Sequence, residues 1–194
     1  MPARRLVLAS GSRYRREQLA RLGLAVECRA PDIDESALPG EAPADLAQRL
    51  ALAKARIVAP YFPGALVIGS DQVAECDGRR LGKPGSAEAQ QAQLLACSGR
   101  ELRFHTALAI LDGTNGHTGL HLDQTVCRMR ALGAEAIARY VAAEPAYDCA
   151  GGFKVESRGI ALFEAIRSED PSALIGLPLI ALCRMLDAAG IALP

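Results

Sequence analysis

The chain has 194 residues, half of them hydrophobic, which is enough for one packed domain, so a single domain over 1–194 is the natural expectation. Lys and Arg total 22 and Asp and Glu total 22, and this balance argues against a nucleic-acid-binding surface, which needs broad positive charge. No apolar run reaches membrane length, and the short run Leu6 to Ala9 is no signal peptide, so a cytoplasmic location is expected. The six cysteines are scattered without a CxxC pair, which suits free thiols in a reducing compartment better than disulfides or a zinc site.

In chain order, Arg5 to Ala9 reads as a short buried strand. Ser10-Gly11-Ser12 then turns into a helix from about Tyr14, with Leu19 and Leu22 on its apolar face and Gly23 at its end. Ala25 to Cys28 is a second strand, and the acidic, turn-rich segment Pro31 to Pro43 is a loop. A helix follows over about Ala44 to Ala59, with Leu46, Leu50, Ala53 and Ile57 at helical spacing. Ala65 to Ile68 is an apolar strand that runs on through Asp71 to Cys76, and Asp77-Gly78 is a hairpin signal. Ser86 can cap a helix over Ala87 to Cys97. Leu102 to Leu111 and Leu120 to Met129 read as two long strands around a turn at Gly113 to Gly116. Glu135 to Ala143 is helical, Asp148 to Gly159 a loop, Ile160 to Glu164 a strand, and Leu177 to Ala188 a last helix. Helices mixed with long paired strands indicate an α/β or α+β domain.

Four groups of residues could carry chemistry. Ser10, Ser12 and Arg15 stand where a strand gives way to a helix, so backbone N–H groups, hydroxyls and a guanidinium could all face an anion. An ordinary serine cap followed by solvated arginines is the plainer reading of that segment alone. Asp71 ends a buried strand, where it could hold a metal or activate water, or simply form a turn. Lys54 lies on an apolar helix and Lys83 in Gly82-Lys83-Pro84. The stretch Gly78 to Lys83 is not a P-loop, because it is one residue short between glycines and Pro84 replaces the magnesium-binding hydroxyl residue. Asp32, Asp34 and Glu35 offer hard oxygen ligands in the acidic loop, or just a solvated acidic surface. His117 and His121 lack a third ligand and read as surface residues.

Taken in order, these pieces resemble the Maf family. The resemblance is carried by Leu8-Ala9-Ser10-Gly11-Ser12 with Arg15 and Arg16, by Asp34-Glu35, by Arg49-Leu50-Ala51-Leu52-Ala53-Lys54-Ala55, by Asp71, and by Lys83-Pro84. It continues through Cys149-Ala150-Gly151-Gly152-Phe153 and Ile175-Gly176-Leu177-Pro178-Leu179, so it spans nearly the whole chain. Tyr14, Gln72 and Glu156 stand where members acting on dTTP and UTP commonly have Arg, Thr and Gln, and these positions resemble the YceF-like subgroup that acts on 7-methyl-GTP. Departures are Ala53 for a usual Glu, Arg13 for a usual Pro, and Thr106-Ala107 for a usual Thr-Gly.

The resemblance implies an α/β fold with a mixed, strongly bent sheet of the Maf and ITPase type, flanked by helices in two lobes with the site in a cleft. It implies cleavage between the α- and β-phosphates of a nucleoside triphosphate. Ser10, Ser12, Arg15, Lys54 and Lys83 would bind phosphate. Glu35 and Asp71 would hold magnesium or manganese, and Asp71 would also orient or deprotonate the attacking water. Tyr14, Gln72 and Glu156 would read the base. The expected partner is a small nucleotide, with a homodimer expected on family grounds only. A dTTP/UTP pyrophosphatase and a non-catalytic nucleotide-binding regulator of cell division are the alternatives.

Overall fold

The computed structural model describes residues 4–193. Seven strands form one mixed sheet: β1 (Leu6–Ala9), β2 (Val26–Cys28), β3 (Leu66–Cys76), β4 (Arg79–Leu81), β5 (Glu101–Asp112), β6 (Thr118–Met129) and β7 (Phe163–Arg167). The order is β2-β1-β3-β5-β6-β7, with β4 paired on β3. β1 is parallel to both β2 and β3, whereas β4 and β7 pair antiparallel with β3 and β6. The helices are α1 (Arg13–Arg21), α2 (Pro43–Val58), α3 (Ala87–Cys97), α4 (Ala134–Ala143) and α5 (Leu179–Ala188). The mixed α/β fold expected from the sequence is the fold observed.

The chain divides into two compact units. The first contains the residues up to Asp71, Thr106–Asp123, and those from Asp170 onward; the second contains Gln72–His105 and Gln124–Glu169. In the first unit, Leu6, Leu8, Leu66, Ile68, Leu108 and Ile110 from the strands pack with Leu19 of α1 and with Leu182 and Leu186 of α5. β1 has all four residues buried, as a strand flanked on both sides in a parallel arrangement should. In the second unit, α3 packs on α4, and Phe153 stands edge-on to both Phe104 and Phe163, with ring centroids 5.6 and 4.7 Å away.

The local signals that place most elements are visible in the bonds they make. The Ser12 hydroxyl accepts from the Arg15 N–H at 3.4 Å at the start of α1. The Ser86 hydroxyl accepts from Ala89 N–H at 3.2 Å at the start of α3. Asp77 and Gly78 both take positive φ, 50° and 74°, as a tight turn between β3 and β4 requires.

Two expectations need correction. The buried face of α2 is Leu46, Ala47, Leu50, Ala51, Lys54, Ala55 and Val58; Ile57 points to solvent and Ala53 is only half-buried. The cause is Gly69 of β3. A Cβ there would lie 2.1 Å from the Ala51 carbonyl oxygen and 2.9 Å from the Ala55 nitrogen. The alanine edge of α2 therefore packs directly on the strand backbone, and the larger Ile57 is turned outward. The other correction is at the C-terminal side: Arg158–Leu162 forms a 3₁₀ turn and the strand begins only at Phe163. The Cα partner of Phe163 is Met129, and the register shifts between Arg128 and Met129, so pairing with β6 rather than local apolarity sets the boundary.

Candidate active site

Asp71 lies in the middle of β3, not at the end of a strand as expected, because pairing with β4 carries the strand on to Cys76; with the edge of α2 it builds the centre of the first unit's polar cluster. Close packing at Gly69 brings α2 down onto β3, and Lys54 of α2 reaches Asp71 of β3: Nζ donates to Oδ1 at 2.6 Å. Both side chains are buried, with residue exposures of 5% for Lys54 and 7% for Asp71. The same ammonium lies 2.5 Å from Oε1 of Glu35, whose side chain is 55% exposed. One cation thus sits between a buried and an exposed carboxylate.

Glu35 is delivered by an ordered loop. Arg49 of α2 grips Glu41 with two parallel bonds of 2.6 and 2.8 Å and donates to the Ser36 carbonyl at 2.9 Å. Glu41 in turn accepts from the Leu38 N–H at 2.9 Å. Asp34 does not join the cluster through its Oδ1; that oxygen accepts from the Ser36 N–H at 2.9 Å, and bonds with Ser36 hold its carboxyl below the usual range. Asp32 is exposed. Of Asp32, Asp34 and Glu35, it is Glu35 that pairs with Lys54.

The turn from β1 into α1 supplies the rest of the cluster. Ser10 is buried, and its hydroxyl oxygen accepts from the Ser12 N–H at 3.1 Å and from Arg15 Nη1 at 3.4 Å. Arg15 Nε donates to the Gly176 carbonyl at 2.7 Å, and the Ser70 hydroxyl donates to the same oxygen at 3.0 Å. Ser70 is the neighbour of Asp71, so this shared acceptor ties the arginine of α1 to the part of β3 that carries the carboxylate. Burial pulls the Arg15 pKa down, and the negative charges of Asp71 and Glu35 pull it back up. The guanidinium therefore feels both carboxylates.

Gly176 can serve as that acceptor because its own segment is held rigidly. It adopts φ +120°, a conformation that favours glycine. The Asp170 carboxylate accepts from Ile180 N–H at 2.7 Å at the start of α5, and the Ser172 hydroxyl accepts from Leu179 N–H at 2.7 Å while donating to the Leu177 carbonyl at 3.0 Å. Gln18 of α1 donates to the Ser172 carbonyl at 2.8 Å. These bonds give Ile175 to Leu179 a physical role as the support of Arg15.

On the neighbouring turn, Arg13 stacks over the Tyr14 ring, 4.7 Å from its centroid, and Nη2 donates to the phenol oxygen at 2.7 Å. One face of that ring already holds a cation.

The second unit carries the other candidates. Gln72 directly follows Asp71 on β3 and is half-buried. Lys83 is exposed in a loop whose Gly85 N–H donates to the Tyr147 carbonyl at 3.1 Å. Glu156 is exposed on the turn between Lys154 and Gly159, which the Lys154 carbonyl closes by accepting from the N–H groups of Ser157 and Gly159 at 3.2 and 3.0 Å. Among the described residues, no group of three or more His, Cys, Asp or Glu side chains is placed to hold a metal. Nor is any helix among them long and apolar enough to cross a membrane.

Sequence reasoning quoted Arg49 within a motif and Ser70 beside Asp71 but gave neither a role, and it did not single out the buried trio Gln90, Tyr140 and Glu144. The bonds of Ser70 to Gly176 and of Gln90 to Gly152 join residues 106 and 62 positions apart, which no local pattern signals.

Known proteins resemble this chain over nearly its full length. The 7-methyl-GTP pyrophosphatase of Xanthomonas campestris pv. campestris (strain 8004) is 56% identical over 190 residues, covering 98% of each chain. The protein of the same name from Bordetella pertussis is 55% identical over 187 residues, 96% of this chain and 93% of its own. The solved structure of the Staphylococcus aureus Ham1 protein overlaps 66% of this chain and 73% of its own with a TM-score of 0.47 and 17% identity. The Maf-like protein family matches residues 5–189, and with relatives of that identity and coverage the chain belongs to that family.

Proposed function

We propose that this protein is a nucleoside-triphosphate pyrophosphatase acting on 7-methyl-GTP, the substrate named for its 56% identical relative. The observation that supports the reading is the Gly176 carbonyl shared by Arg15 and Ser70, which ties the Arg15 guanidinium to the neighbour of the buried Asp71; we assign that guanidinium to phosphate. A buried carboxylate next to anchored cations is the combination a hydrolytic phosphoryl transfer needs: one group for the water, several for the charge.

In this reading water attacks the α-phosphorus and its proton passes to Asp71 or through it to solvent. The bond from the α-phosphorus to the bridging oxygen breaks, and pyrophosphate leaves with 7-methyl-GMP as the other product. Arg15, Lys54 and Lys83 neutralise the phosphates and the charge growing on the leaving group, and Ser10 and Ser12 bind phosphate through their hydroxyls. The Lys54 ammonium has three N–H donors and meets two carboxylates, so its third N–H would serve a phosphate oxygen while both pairs stand.

The donor set fits a hard divalent cation. Glu35 and Asp71 direct carboxylate oxygens at one point, where the Lys54 ammonium sits, and magnesium is commonly held by one or two carboxylates together with substrate phosphates. We assign Glu35 and Asp71 as the ligands of magnesium or manganese. When bound, the ion would add positive charge on the phosphate oxygens.

For the base, methylation at N7 makes guanine cationic, and the Tyr14 ring suits a cation, as Arg13 illustrates by occupying one of its faces. Glu156 would accept from the guanine N1–H and N2–H groups, and Gln72 would supply a donor and an acceptor. We place the enzyme in the cytoplasm, removing modified nucleotides from the pool, and expect a homodimer on family grounds.

The test is a panel of 7-methyl-GTP, GTP, dTTP and UTP scored for pyrophosphate release, with and without magnesium, on the native protein and on Asp71→Asn. The expected result is highest kcat/KM on 7-methyl-GTP and no turnover in the variant, with nucleotide binding largely retained. Preference for dTTP or UTP would replace the substrate. Absence of pyrophosphate release from every nucleotide would leave a binding protein in place of an enzyme.

A further inference from the structure

The second unit contains a buried polar frame that the chemistry above leaves unused. Tyr140 and Glu144 lie one turn apart, at the end of α4, and both are 8% exposed. The Tyr140 hydroxyl donates to Oε2 of Glu144 at 3.2 Å and accepts from the Lys154 N–H at 3.2 Å. Oε2 of Glu144 also accepts from the Gly159 N–H at 2.9 Å. One tyrosine–glutamate pair therefore holds the two ends of the turn whose exposed tip is Glu156.

Two further features fix the same turn. Gln90 of α3, fully buried, donates to the Gly152 carbonyl at 2.8 Å and to the Glu144 carbonyl at 3.3 Å, and it accepts from the Ala146 N–H at 3.3 Å. It locks the approach to the turn and the base of the Tyr140–Glu144 pair together. The turn itself is closed so tightly that a Cβ at Gly159 would lie 2.4 Å from the Lys154 carbonyl oxygen. Burial also keeps the Tyr140 phenol protonated by raising its pKa, so it remains a donor to Glu144 throughout the physiological range.

Buried groups with this many satisfied bonds cost free energy to assemble, and a solvent-exposed turn needs no such frame merely to exist. An exposed carboxylate that must meet a base with defined geometry does need one. We propose that Tyr140 and Glu144, seated by Gln90, are positioning residues for base discrimination: they fix the Lys154–Gly159 turn so that Glu156 is presented in one orientation. This rests on the assignment of Glu156 as a reader of the base.

The experiment compares Tyr140→Phe, Glu144→Gln and Glu156→Gln in the full chain. The readout is the ratio of kcat/KM on 7-methyl-GTP to that on UTP, with residue-resolved amide exchange at Lys154 and Gly159. Tyr140→Phe should speed exchange at the Lys154 amide and lower the ratio about threefold to tenfold, chiefly through KM on 7-methyl-GTP. In the Glu156→Gln background the same change should add little, because the group being positioned is already altered. General damage to the fold would depress both substrates equally and leave the ratio where it was. A ratio that falls in Glu156→Gln but holds in both Tyr140→Phe and Glu144→Gln overturns the positioning role alone. A ratio that holds in Glu156→Gln overturns the base-reading assignment and this role with it. Unchanged amide exchange in Tyr140→Phe overturns the frame itself.

Discussion

Replacing Lys54 by methionine separates stability from catalysis. The ammonium meets two carboxylates at nearly equal distance, 2.6 Å to Asp71 and 2.5 Å to Glu35, so distance does not decide which pair matters. Burial does. The Asp71 side chain is 10% exposed and that of Glu35 is 55% exposed. An exposed pair contributes about 0–1 kcal/mol, whereas stranding a buried charge by removing its partner costs about 3–5 kcal/mol. Lys54→Met should therefore destabilise mainly by removing the direct ion-pair partner of the buried Asp71, which Arg15 and Arg49 then reach only through their field. For a chain of this size each kcal/mol moves the melting temperature by about 2–4 °C, giving a drop of about 6–20 °C. Lys54→Met combined with Asp71→Asn removes the buried charge and should recover more than half of that loss, while Glu35→Gln should shift melting by no more than about 4 °C. Thermal unfolding followed by circular dichroism gives the melting temperatures, and a pyrophosphate-release assay on the same samples gives activity. The double variant should be stable and inactive. If it melts as low as Lys54→Met, or if Glu35→Gln is as damaging as Lys54→Met, then burial of Asp71 is not what sets the energetics of the cluster.

Two further variants probe other parts of the site. Lys83 is exposed, so Lys83→Ala should leave the melting temperature nearly unchanged while raising KM and lowering kcat together, with kcat/KM down about 10- to 100-fold as the proposed charged phosphate contact is lost; a rise in KM alone would mean that the lysine binds ground state and transition state equally. Gly69→Ala should cost about 1–3 kcal/mol by overpacking, since its Cβ would meet Ala51 and Ala55 backbone atoms of α2, and it should displace Lys54 with the helix; calorimetry showing no loss of stability would contradict direct packing of α2 on β3.

Much of the fold was legible because its signals are local. Apolar runs gave β1 and the start of β3, serine caps gave the starts of α1 and α3, and Asp77-Gly78 gave the β3–β4 turn. The buried face of α2 was not, because alanine contributes little to a hydrophobic pattern and the deciding residue, Gly69, lies on another element. The start of β7 failed for a related reason: Ile160 and Leu162 look like strand residues, but pairing with β6 admits the chain only from Phe163. At the site, the ordered motifs named Ser10, Ser12, Arg15, Glu35, Lys54 and Asp71, and all six belong to one compact unit. What the order could not give was the wiring. Arg15 and Ser70 meet at Gly176, 161 and 106 positions away, and no periodicity carries information over such separations.

The proposed reading of the base by Tyr14 also meets the residue of the opening turn that departs from the family's pattern. Where proline is usual, Arg13 lies over the Tyr14 ring and bonds its hydroxyl. A cation–π contact at an exposed site is worth about 0.5–1 kcal/mol. If the methylated base seeks the same ring, Arg13 competes with it, and any nucleotide that binds there must either displace the arginine or take the opposite face beside it. A neutral base gains less from the ring and is repelled less by the arginine. Arg13→Ala should therefore lower KM for 7-methyl-GTP by about two- to fivefold, with a smaller effect on GTP, and should leave kcat nearly unchanged because the contact lies away from the reacting phosphorus. Arg13→Lys should keep most of the native behaviour. Steady-state kinetics on the two nucleotides decide the matter. Equal shifts for both would mean that the arginine acts on the phosphates rather than the base, and a higher KM for 7-methyl-GTP in Arg13→Ala would mean that the stacked pair helps to bind the base instead of guarding its seat.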